Sequence, residues 1–107
     1  MSNVVANTIL NQIGGRRFIM MTGAKDFVAS EFGLTFRIPA RSAKQGINKV
    51  RIVLMPDDTY EMQFIKYANM MDKRISTSTG VYCDMLEDIF ESQTGLYTSI
   101  KSRSWAE

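Results

Sequence analysis

KVRIVLM (49–55), PDD (56–58) and TYEMQFIK (59–66) form the stretch on which the fold turns. Val50, Ile52 and Leu54 alternate with Lys49, Arg51 and Val53. On the return arm Tyr60, Met62 and Phe64 alternate with Glu61, Gln63 and Ile65. A two-residue period puts one set of side chains on each face of a strand, so one face is buried and the other is open. Pro56 presets φ for a turn, and the aspartates after it favour turn geometry. The stretch therefore predicts an antiparallel hairpin.

Working outward, LTFRI (34–38) alternates in the same way and is closed by Pro39, which cannot donate to a ladder. Phe27–Glu31 reads as a further strand. Arg16–Thr22 also reads as a strand, with Phe18 and Met20 opposite Arg17, Ile19 and Met21. Upstream, Val5, Ile9, Leu10 and Ile13 fall at helical spacing before Gly14-Gly15, which predicts a short N-terminal helix. VYCDMLEDIFESQ (81–93) carries the strongest helical pattern. Its apolar side holds Tyr82, Met85, Leu86, Ile89 and Phe90, and its other side holds Asp84, Glu87, Asp88 and Glu91. Residues 68–80 give no clear period. The expectation is an α+β fold: an antiparallel sheet of about four to five strands, with the short N-terminal helix and the amphipathic C-terminal helix on one face. Residues 1–107 read as a single domain, with 101–107 as a flexible tail around Trp105.

Composition narrows the chemistry. The chain has 107 residues, 45% of them hydrophobic and 22% charged, which is ordinary for one globular domain. It has no histidine and one cysteine, Cys83. That removes His-based nucleophile pairs, the commonest general base and multi-Cys metal sites, and it points away from an enzyme. Acidic neighbours disfavour a thiolate at Cys83. No cofactor or metal is expected. No apolar run reaches the roughly 18 residues of a membrane span, and the first residues lack the pattern of a secretory signal, so the cytoplasm is the expected compartment.

The net charge of +2 is unevenly distributed. Residues 1–53 hold eight basic and two acidic residues, +6, whereas residues 54–107 hold five basic and nine acidic residues, −4. Such asymmetry predicts a basic surface, or attraction between the two halves within the fold. The outward strand positions would carry Arg17, Thr35, Arg37, Lys49, Arg51, Glu61 and Gln63. With Arg41 and Lys44 in the adjoining loop, the cations Arg17, Arg37, Lys49 and Arg51 make a candidate surface for single-stranded nucleic acid. Ile19, Met21 or Tyr67 would supply the stacking platform that such binding needs. The same residues also suit a solvated sheet face. The alternative partner surface is the acidic set Asp84, Glu87, Asp88 and Glu91, which would dock a host protein such as a defence component. MTGAK (21–25) lacks the glycine spacing and the Lys-Ser/Thr pair of a phosphate loop. Met20-Met21 and Met70-Met71 each put a side chain outward, which predicts a homo-oligomer.

GGRRFIMMTGAKDF (14–27), TYEMQFIK (59–66) and VYCDMLEDIFESQTGLYTSI (81–100) resemble a group of small phage and prophage proteins. Those share a GG-x-x-F-x-x-MTGAK opening and a C-terminal helix followed by TGLYT. The resemblance implies a mobile-element origin and a bacterial host cytoplasm, and it transfers no site residue. The order of antiparallel strands followed by a helix is also similar to Whirly-type single-stranded DNA binders, by topology alone.

Overall fold

The computed structural model describes residues 4–39 and 43–96. Five strands form one antiparallel sheet in sequential order: β1 (Lys25–Ser30), β2 (Gly33–Arg37), β3 (Lys49–Leu54), β4 (Tyr60–Ala68) and β5 (Met71–Val81). Helices α1 (Val4–Ile13) and α2 (Gly15–Thr22) precede the sheet, and α3 (Leu86–Thr94) follows it. The fold is α+β. Among the described residues no helix is long and apolar enough to cross a membrane.

The hairpin of β3 and β4 is the centre of the sheet, as its alternation requires. Val50 pairs with Phe64 and Ile52 with Met62, while Phe36 and Leu34 of β2 lie opposite Val50 and Ile52. All six are buried. Their face is covered by Ile9 and Ile13 of α1, Phe18 of α2, and Leu86 and Phe90 of α3, in one continuous cluster. The β3–β4 turn is held by Asp57, whose carboxylate accepts from the Thr59 hydroxyl at 2.6 Å and from its backbone N–H at 3.1 Å. The hydroxyl bond foremost, and the N–H bond after it, holds the Asp57 carboxyl below the usual carboxylate range.

Arg16–Thr22 is a helix, not the strand its alternation predicts. Only Phe18 and Thr22, four residues apart, are buried, Ile19 is half-buried, and Met20 and Met21 are exposed. Spacing of four is helical. Phe18 meets Phe36 edge-on at 5.3 Å and Phe90 at 5.1 Å, so α2 is pinned by the aromatic centre of the core. The C-terminal end of α2 explains the rest. The Thr22 hydroxyl donates to the Phe18 carbonyl at 2.8 Å and accepts from the Ala24 N–H at 3.2 Å. Gly23, at φ 74°, donates its N–H to the Ile19 carbonyl. Helix α3 ends identically: Thr94 donates to Phe90 at 2.7 Å and accepts from Leu96, and Gly95 sits at φ 80°. A helix stop of the form F-x-x-x-T-G thus occurs twice, at 18–23 and 90–95.

Two further expectations change. Residues 71–81 form the longest strand, β5. A bulge beside Ile75, where the register shifts between Phe64 and Ile65 of β4, breaks the two-residue period. The last helix starts at Leu86 after a 3₁₀ turn over Cys83–Met85, which leaves Tyr82 and Met85 exposed.

Candidate functional site

Cross-strand partners share a face, so the register assigns the open side of the sheet. One row runs Val28, Thr35, Arg51, Gln63 and Thr77, and a second runs Lys25, Arg37, Lys49, Ile65 and Arg74. Tyr67 and Asp72 form the next pair beyond them. Glu61 lies opposite Val53 on the same side. Of the expected outward residues, Thr35, Arg37, Lys49, Arg51, Glu61 and Gln63 are therefore together.

Arg17 is not among them. Because residues 16–22 are helical, Arg17 lies on α2, on the other side of the sheet, where its guanidinium is 3.9 Å from Glu87 of α3. Ile19 and Met21 are likewise on α2 and form no platform on the sheet. Lys44 is also displaced. Its ammonium donates to the Ser92 carbonyl at 3.1 Å, near the C-terminal end of α3, where a cation meets the unpaired carbonyls of a helix. Arg41 lies outside the described residues, as do residues 97–107 with Trp105.

Toward the β4–β5 turn on the open face, two cations lie over the ring of Tyr67. The Arg37 guanidinium carbon and the Lys49 nitrogen are each 5.4 Å from its ring centroid, within cation–π range. The three residues line a recess of about 230 Å³. Ile65 in the adjoining row is buried although it faces away from the main core, between Lys49 and Arg74 across the ladder. Long basic side chains cover apolar surface with their stems while their charges stay in water. Lys25 and Arg74, which the residue pattern did not single out, join the patch through register: Lys25 lies opposite Arg37, and Arg74 lies opposite Ile65.

The cations are partly countered. Lys49 pairs with Asp72 at 3.2 Å, and Arg37 lies 3.9 Å from Asp26. Pairs this exposed contribute at most about 1 kcal/mol and exchange readily with a stronger anion. Gln63 donates to Glu61 at 2.6 Å, and its amide oxygen is buried without a hydrogen-bond partner among the described residues.

The acidic alternative surface is less unified than its spacing predicts. Asp84 belongs to the 3₁₀ turn, Glu87 faces Arg17, Asp88 is exposed, and Glu91 is half-buried. No group of three or more His, Cys, Asp or Glu side chains among the described residues could hold a metal ion. Comparison with family models, curated proteins and solved structures finds no match.

Proposed function

We propose that this chain is a small phage-encoded, non-enzymatic binding protein whose open sheet face contacts single-stranded nucleic acid. The observation that carries this reading is the ring of Tyr67 flanked by Arg37 and Lys49 at 5.4 Å each. A flat ring beside paired cations suits a base stacked next to its phosphates. Lys25, Arg51 and Arg74 extend the positive surface on either side.

Binding proceeds by exchange: phosphates replace Asp26 and Asp72 as partners of Arg37 and Lys49, and a base stacks on Tyr67. Fluorescence anisotropy with labelled single strands tests this. Three to five phosphate contacts predict that log affinity falls against log salt with a slope of roughly −2 to −3.5. Tyr67→Ala weakens binding with the slope retained, by about 1–3 kcal/mol for one lost stacking contact. Undetectable binding at low salt, or affinity indifferent to salt, overturns the reading.

A further inference from the structure

We infer that copies of this chain associate head to tail, the Met70–Met71 tip of one seated in an apolar groove at the opposite end of the next. The groove is lined by Phe32, Val53, Leu54, Met55, Pro56 and Asp58, and its volume is about 550 Å³. That falls in the range of pockets that bury small ligands, with room for two methionine side chains. Phe32 is 56% exposed on the β1–β2 turn and is continuous with the apolar lining of the groove, and contiguous exposed apolar surface marks a contact site. Asp58 lines the groove, and exposed Glu31 and Asp57 stand on the same two turns, so this end of the molecule is acidic.

The tip is the complement. Asn69 and Met70 join β4 to β5 with φ 54° and 62°, a two-residue turn with both central residues left-handed. Such turns favour glycine at the second central position, yet a methionine stands there, 87% exposed beside a 71% exposed Met71. Strained backbone conformations cluster at functional contacts, and here the strained residue is a methionine presented to solvent. Methionine adapts its shape to an apolar groove. Behind the tip Lys66 lies opposite Lys73, and neither makes an ion pair with a described residue. Apolar tip with basic flanks thus meets apolar groove at an acidic end.

The contact must be intermolecular. Groove and tip sit at opposite ends of β4, whose nine residues span roughly 30 Å. A chain cannot reach its own groove. A head-to-tail contact uses different patches on each copy, so it builds chains or closed rings rather than stopping at a symmetric dimer.

Sedimentation of purified protein reads the association directly. The expected result is an average mass that rises through multiples of the single-chain mass with concentration and falls back as salt screens the charges at the two ends. Met70→Gly suits the turn better than methionine, so it keeps or raises the melting temperature while abolishing association. Phe32→Ser removes the groove wall at an exposed position and gives a monomer as well. Mixed one to one, these two variants form a heterodimer, because one retains its tip and the other its groove. A wild-type protein that stays at the single-chain mass, or a mixture in which neither variant restores the other, overturns the proposal. So does a symmetric dimer in which both variants fail when mixed. The nucleic-acid titration is a separate readout on the open sheet face, so either proposal can fail alone.

Discussion

At the residue scale, the two Thr-Gly steps set where helices stop. Each threonine satisfies a carbonyl one turn back and an N–H two residues on, and each glycine takes a left-handed φ. Their surroundings differ, and so do the expected costs. A Cβ on Gly23 lies 3.1 Å from the Pro39 ring, whereas one on Gly95 meets the side chain of Lys44, which can move aside. Gly95→Ala is expected to lose about 1 kcal/mol from left-handed strain. Gly23→Ala is expected to lose about 2 kcal/mol or more, since the ring adds overpacking. Denaturant midpoints rank the two. Tyr60 provides a pH test. Burial first, and the nearby Cys83 second, raise its pKa above the usual tyrosine value, and its hydroxyl donates to Gln12 at 2.7 Å. A raised pKa in the folded state favours the neutral phenol, so this contribution is complete below the unfolded tyrosine pKa of about 10 and is lost as pH rises past it. Tyr60→Phe is therefore less stable near neutrality by about 1 kcal/mol for the lost hydrogen bond, and it shows a shallower alkaline decline in melting temperature.

At the element scale, α2 decides what the first part of the chain contributes. Met20 is 76% exposed there and touches little, so substitutions report backbone preference. Met20→Ala is expected to be neutral or slightly stabilising, and Met20→Val to be less stable than Met20→Ala by about 0.5 kcal/mol, as β-branching costs a helix. A strand would reverse that order, and thermal melts distinguish the two. The strand-like pattern of 16–22 has a physical source. Four apolar residues in a run of seven satisfy a period of two or of four over so short a span, and only the stop beyond them discriminates. The F-x-x-x-T-G word repeated at 90–95 was that signal, visible as a repeat but meaningful only once both hydroxyls are seen bonded to the phenylalanine carbonyls. By contrast β3 and β4 were legible because long alternation admits one register for a buried face. Strand β5 was not, because its bulge interrupts the period and its edge position exposes most of its side chains. Polar Ser and Thr in such a strand resemble a loop until their ladder partners are known.

At the scale of the whole molecule, the basic first half and acidic second half are partly spent on each other. Among the described residues, the ion pairs Arg17–Glu87 and Lys49–Asp72 join the halves. This is why the candidate face is only half legible: Arg37, Lys49 and Arg51 follow from alternation in true strands, while Arg17 joins them only if 16–22 is a strand and Lys44 only through the adjoining loop, and both stand elsewhere. The division yields a control that net charge cannot mimic. Arg17→Glu and Arg51→Glu change the total charge equally, but Arg17 is on a helix across the sheet and Arg51 is in the central row of the open face. If binding is carried by that face, Arg51→Glu weakens a labelled single strand by about tenfold or more at low salt and flattens the salt slope by about one phosphate contact. Arg17→Glu leaves both unchanged within about twofold, and it costs less than about 1 kcal/mol of stability because its pair with Glu87 is long and exposed. Equal losses in the two variants would mean that long-range attraction, not the sheet face, holds the strand. Anisotropy at two salt concentrations separates these outcomes, because a diffuse field is screened beyond about 10 Å at 0.1 M while contacts on the face persist.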